Sequence, residues 1–330
     1  MKILLVSTGG TIGCSVNDGV ADVDSETART IAAICEKYSG AQTEVAFPFN
    51  MLSENATCAA LSRICSFMLG VDYSKYSGVI VTHGSDTLAY TANLLAAALA
   101  WVDIPVVITA ANYVMTDARS NAADNLAAAC ILIRELSEKG RGGVFAAWKN
   151  DGEPPRIHLA SRLLEADAPR GYFDSYGGAI FGSIYSDRFF PCPAESFPEP
   201  KTELAFLKGR SVEIKPNVVL LHSFVGLDYN TLNIKGKGAV LLKLYHSGTA
   251  CMEGGSASFS FLAEKCRASG AALYICPARR DTYVYGSNAG LSKAHAVPVF
   301  AVSEFFAYTA LLLAYSLGER ERQAVLDALL

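Results

Sequence analysis

The chain has 330 residues, 51% of them hydrophobic and 18% charged, with a formal net charge of −4. That is enough for one large or two ordinary domains, and the mild acidity, with no cluster of Lys and Arg, argues against nucleic-acid binding. The nine cysteines are scattered, odd in number and without a C-x-x-C pair, which fits reduced thiols in a cytosolic protein better than a disulfide framework or a zinc site.

Met1-Lys2 leads into Ile3-Leu4-Leu5-Val6-Ser7. The run is short and meets glycines instead of a cleavage site, so it reads as a first strand rather than a secretory signal. Thr8-Gly9-Gly10-Thr11-Ile12-Gly13 follows. Glycines there allow a tight turn and let backbone N–H groups approach a ligand. The G-x-G-x-x-G spacing and the P-loop lysine are both missing, and a polar strand-to-helix turn accounts for the segment equally well. Residues 14–25 are small and polar and read as a loop. A helix is expected over 25–38 with Ser25 as a cap, a strand over 44–49, a loop at 51–55 and a helix over 57–69.

Gly78-Val79-Ile80-Val81 predicts a buried strand, and residues 88–100 predict a helix. Between them stands Thr82-His83-Gly84-Ser85-Asp86-Thr87. A hydroxyl, a carboxylate and a glycine at a strand end are placed where open α/β sheets hold their chemistry. The alternative is that Ser85 or Asp86 only caps the next helix. Strands over 105–110, 143–148 and 156–160 and a helix over 120–139 continue the alternation, which gives an α/β fold with a doubly wound, mostly parallel sheet. Residues 94–111 are broken by Asp103 and Pro105. Residues 305–317 are well short of the ~20 that a membrane span needs, so no membrane association is expected.

Residues 190–200 hold four prolines, a density that resists helix and sheet. This divides the chain into an N-terminal domain, 1–190, a linker, 191–212, and a smaller C-terminal α/β domain, 213–330. Strands are expected there over 218–222, 239–245 and 272–276. Helices are expected near 229–235 and over 258–269 and 303–317, with a short helix at the tail.

Taken together, Thr8-Gly9-Gly10-Thr11-Ile12 and Thr82-His83-Gly84-Ser85-Asp86-Thr87, in this order and each at a strand end, resemble the T-G-G-T-I and T-H-G-T-D-T hallmarks of the bacterial-type L-asparaginase family. The resemblance extends further. Leu52-Ser53-Glu54-Asn55 stands at the family's substrate loop, Thr116-Asp117-Ala118-Arg119-Ser120-Asn121 resembles S-D-x-R-x-N, and Tyr245-His246-Ser247-Gly248-Thr249 resembles a loop of the C-terminal domain.

The resemblance implies hydrolysis of the side-chain amide of Asn, possibly Gln, to the acid and ammonia, with Thr11 as nucleophile. Ser85 takes the place of the second motif's threonine and Asp86 matches its aspartate. A hydroxyl needs a base or charged network to activate it, and backbone N–H groups near Gly10 and Gly84 suit an oxyanion. Asp86 would hold the substrate ammonium and Ser53 its carboxylate, with Glu54, Ala111 and Thr249 as further substrate-binding positions. No cofactor is implied. The five histidines lack metal-ligand spacing; His83 suits a structural hydrogen bond and Cys14 a packed thiol. A cytoplasmic homodimer or homotetramer, with the site near a subunit interface, is implied as well.

Two departures stand out. The family lysine position falls on Glu165, in Arg162-Leu163-Leu164-Glu165-Ala166-Asp167, with Phe173-Asp174-Ser175 fixing the register. Two carboxylates in one site raise the pKa of one of them, making Glu165 an altered member of the catalytic set unless it points away or Arg119 or Arg162 supplies the cation. The family's loop tyrosine also has no counterpart between Thr11 and the first helix; Tyr113 and Tyr285 are the candidates to replace it. The sequence leaves three functions open: asparaginase, a hydrolase of another small amide, or a non-catalytic binder of small amino acids.

Overall fold

In the computed structural model, strand β1 (Lys2–Ser7) is buried along all five residues after Lys2. Strands β5 (Gly78–Thr82) and β6 (Pro105–Thr109) are buried throughout. Such continuous apolar runs form when a parallel sheet is covered on both faces. Pro105, which has no N–H to give, takes the first position of its strand. The structure describes residues 1–10, 12, 14–17, 20–23, 25–278, 291 and 294–330, with backbone alone for those between 14 and 28. The chain divides into two compact units, Met1–Glu213 and Ile214–Leu330.

The first unit is built on an eight-stranded sheet in which β4 (Gln42–Ala46), β1, β5, β6 and β7 (Gly143–Trp148) are neighbours in that order and parallel. Beyond β7 the sheet turns antiparallel through β8 (Arg156–Leu159), β9 (Gly182–Tyr185) and β10 (Arg188–Pro191). Helices α1 (Ser25–Ser39) and α4 (Ala122–Glu138) pack on one another and share a buried cluster with the sheet that includes Ile31, Cys35, Leu126, Ile133 and Phe145. Helices α2 (Cys58–Leu69) and α3 (Leu88–Ala98) form the second pair. The chain runs from β1 outward to β4, then returns across β1 to β5 and continues to β6 and β7. Strand order therefore reverses between β1 and β5, and the crevice beyond their C-terminal ends is the switch point of the sheet.

Two expectations for this unit change. Residues 14–25, expected as a loop, contain an antiparallel pair, β2 (Cys14–Asn17) and β3 (Val20–Val23). The Asp18-Gly19 dipeptide between them is a hairpin signal in its own right. Residues 191–212, expected as a linker, belong to the first unit. Leu204 and Leu207 are buried in a 3-10 turn, Thr202–Leu207, and Gly209 N donates to Leu69 O at 2.7 Å. Proline prevents regular structure there, but the leucines still have apolar surface to bury.

The second unit is a four-stranded parallel sheet, β11 (Val218–His222), β12 (Ala239–Lys243), β13 (Ala272–Ala278) and β14 (Val297–Phe300). Helix α5 (Phe259–Ser269) buries Phe259, Leu262 and Cys266 with Val240, Leu242 and Leu273. Helix α6 (Glu304–Tyr315) contacts β11, β12 and β13 and is followed by α7 (Glu319–Leu329). Ser258 and Ser303 cap α5 and α6, accepting from Phe261 N and Phe306 N. The helix expected near 229–235 is only a 3-10 turn, Tyr229–Thr231, started by the Asp228 carboxylate accepting from Asn230 N. That Asx geometry competes with an α-helical start.

Candidate active site

The two motifs meet where β1 and β5 end. Ser7 lies in register with Thr82, and Thr8 then donates twice to Thr82 O, from N at 3.2 Å and from Oγ1 at 2.9 Å. Gly10 N donates to Met51 O at 3.2 Å, tying the loop after β4 to the first motif. Gly10 has φ +78°, and a Cβ there would press into the His83 carbonyl and the Gly84 nitrogen. Only glycine lets the two motif backbones come this close. Gly84 is constrained from the other side, where a Cβ would run into the Ser53 side chain.

Ser53 joins the pieces. It is buried, its Oγ donates to Asp86 Oδ2 at 3.0 Å, and its carbonyl accepts from Thr87 Oγ1 at 2.9 Å. Asp86 is exposed. The residue before α3 is Thr87, which makes no side-chain cap, and Asp86 is engaged by Ser53 instead. His83 is buried, with Nδ1 2.8 Å from Gly84 O and Nε2 3.0 Å from Thr91 Oγ1. Burial pushes its pKa below the usual imidazole value, so a neutral ring braces the motif.

A cavity of about 330 Å³ opens beside these groups, lined by Ser85, Asp86, Asn112, Trp148, Glu165 and Asp167 among others. Glu165, Ser85 and Asp86 thus share one wall space. The segment that carries Glu165 is pinned on both sides. Asn93 on α3 donates to Leu163 O at 2.9 Å, Leu164 N donates to Asp174 O at 3.0 Å, and Leu163 bridges to Ser175. Asp167 closes the following loop by accepting from Tyr172 N at 2.9 Å and Arg170 Nε at 2.7 Å. These two contacts, the backbone N–H above all, hold its carboxyl below the usual range.

Arg119 and Arg162 do not supply a cation. Arg119 forms a two-pronged pair with Asp117, at 3.0 and 2.7 Å, which holds that carboxyl down to about 2. Arg162 pairs with Glu195 at 2.6 Å. Tyr113 is exposed and lies under the Arg119 guanidinium, 4.2 Å from its ring centre. Thr11 and Tyr285 lie outside the described residues. Glu54 is exposed next to Ser53, and Ala111 is buried at the end of β6 beside Asn112. Thr249 belongs to the second unit, its Oγ1 3.0 Å from Ser247 Oγ. Asn112, Trp148 and Asp167 were not singled out from sequence. The signal that could have found the first two is their place at the C-terminal ends of the strands, Asn112 just beyond β6 and Trp148 as the last residue of β7. Among the described residues no group of three or more His, Cys, Asp or Glu side chains is set to hold a metal.

Glycines, hydroxyls and carboxylates at the switch point define an open α/β protein with a small-molecule crevice at its strand ends. The asparaginase N-terminal family model matches residues 2–171, just over half of the chain, and the chain belongs to the asparaginase family. It is 29% identical to the L-asparaginase of Thermococcus kodakarensis over 259 residues, covering 75% of this chain and 72% of that protein. It is also 32% identical to one of the subunits of the glutamyl-tRNA(Gln) amidotransferase of Methanopyrus kandleri over 181 residues, 51% of this chain and 38% of that relative. The fold is shared with solved structures. The T. kodakarensis thermostable L-asparaginase superposes with a TM-score of 0.75 at 21% identity, covering 98% of this chain and 97% of that one. L-asparaginase I of Vibrio cholerae gives 0.74 at 19%, covering 100% and 97%.

Proposed function

We propose that the protein hydrolyses the side-chain amide of L-asparagine, or a closely related small amide, with Thr11 as the nucleophile. The observation that carries this reading is the meeting of the two motifs at the β1–β5 switch point, with Ser85, Asp86 and Glu165 on one cavity and Ser53 donating to Asp86. The Thr11 oxygen attacks the amide carbon and its proton passes to the departing nitrogen. The C–N bond breaks and ammonia leaves. Water then adds to the threonyl ester, restoring the hydroxyl and releasing the carboxylate. Backbone N–H groups near Gly10 and Gly84 hold the oxyanion. Ser85 and Asp86 orient and activate, Asp86 also binding the substrate ammonium, with Ser53, Glu54, Ala111 and Thr249 as further substrate-binding positions. The reading places the protein in the cytoplasm as a homo-oligomer. No helix among the described residues is long and apolar enough to cross a membrane.

Ammonia release from L-asparagine and L-glutamine by the purified protein, beside Thr11→Ala, is the test. Turnover in the parent with a loss of about 10³-fold or more in the variant is expected of a missing nucleophile. Equal rates in the two proteins would remove Thr11 from the mechanism.

A further inference from the structure

We infer that Glu165 reads the charge of the substrate and that the site favours small primary amides carrying net positive charge; this rests on the amide-hydrolase reading above. The cavity wall carries three carboxylates, Asp86, Glu165 and Asp167, and no Lys or Arg among the described residues that line it. Asp167 is compensated by the Arg170 guanidinium and the Tyr172 N–H. Among the described residues Asp86 receives only the neutral hydroxyl of Ser53. Glu165 is exposed and, among the described residues, has no hydrogen-bond or ion-pair partner. The cations carried by neighbouring segments are already engaged: Lys149 with Asp124, Arg119 with Asp117, Arg162 with Glu195.

Two carboxylates therefore face the cavity without a counter-charge among the described residues. Water satisfies them while the cavity is open. A ligand that displaces this water removes their hydration, and a carboxylate stripped of water without a cation is strongly disfavoured. The ligand has to bring the positive charge. One ammonium satisfies Asp86. Elsewhere on the same cavity Glu165 opposes an anionic substituent and accepts a cationic or neutral one. Glu165 thus acts as a specificity determinant through Coulombic contact with the substrate, separate from any part in proton transfer.

The test uses three amides that share the same terminal CH₂-carboxamide. They are 3-aminopropanamide, a cation; L-asparagine, a zwitterion; and succinamate, an anion. Ammonia release gives kcat/KM for each with the parent, Glu165→Gln and Glu165→Lys. The parent is expected to rank them in that order. The ratio of 3-aminopropanamide to succinamate should fall about 10- to 100-fold in Glu165→Gln, the scale of one charge contact at a partly solvated wall, and further in Glu165→Lys. A ratio unmoved by Glu165→Gln in a protein that turns these amides over overturns the inference and leaves the hydrolase reading standing. Silence on every amide sinks the hydrolase reading instead. Calorimetric titration of the same proteins with 3-aminopropanamide then decides the charge preference. Binding that weakens in Glu165→Gln supports it; binding unchanged by the substitution, or none to the parent, overturns it.

Discussion

Both units carry a run of parallel strands with polar groups near their C-terminal ends, yet the two sets of groups are left in opposite states. In the second unit Lys243 at the end of β12 is paired with Glu304 in the first turn of α6, and the Cys276 thiol on β13 donates to Val302 O at 3.4 Å. These groups satisfy one another. In the first unit Asp86, beyond β5, and Glu165, beyond β8, face a cavity with no Lys or Arg among the described residues that line it. On the function proposed above, the strand ends that close their own charges are scaffold and those that leave them open take the substrate. The same architecture supports both, and the side chains placed at the C-terminal edge decide which it becomes.

The sharpest way to break the contrast is to crowd the open site. Gly84→Ala puts a methyl into the Ser53 side chain. We expect amide turnover to fall about 100-fold and the unfolding free energy to drop by about 1–3 kcal/mol, as overpacking does; denaturant titration and ammonia release read both. Acid is the next largest lever. His158 is fully buried, with Nδ1 2.8 Å from Ser175 Oγ, and burial pushes its pKa down to about 4. The folded protein keeps this ring neutral while the unfolded chain protonates it near 6.5. Stability is therefore complete above pH 6.5 and falls as the pH drops towards 4, by up to about 3 kcal/mol. Urea midpoints across this window should decline, and less steeply in His158→Gln.

Ser53→Ala sharpens the comparison more gently. It removes the one hydrogen bond described on the Asp86 carboxylate, and KM for L-asparagine should rise about tenfold, the scale of a charge-assisted hydrogen bond. A change confined to kcat would assign Ser53 to chemistry instead. The smallest effect is expected in the second unit. Lys243→Met leaves Glu304, only 8% exposed at its side chain, facing an apolar neighbour, and the half-exposed partner limits the cost to about 1 kcal/mol in thermal or urea unfolding.

Much of the fold could be read from its pattern. β7 and β11 have the expected bounds, 143–148 and 218–222, and α2, α3 and α4 differ from theirs by two residues at most. Long apolar runs and periodic helices declare themselves because burial on both faces, or on one stripe, demands them. The antiparallel edge beyond β7 and the packing of residues 191–212 were not legible. Short strands are stabilised by partners distant in sequence, and a proline-rich stretch hides the leucines that anchor it.

The site divides along the same line. The sequence alone determined the two motifs and their places at strand ends, because each is a local matter of residue type following an apolar run. Tertiary structure alone decided that Gly10 and Gly84 touch, that Ser53 serves Asp86, and that Arg162 is occupied by Glu195. It also set Glu165 beside Asp86 on one cavity, through the Asn93 bond that holds residue 163. Hydrogen bonds and charge pairs between residues 30 to 80 positions apart depend on how strands are ordered in the sheet, and no local pattern carries that order.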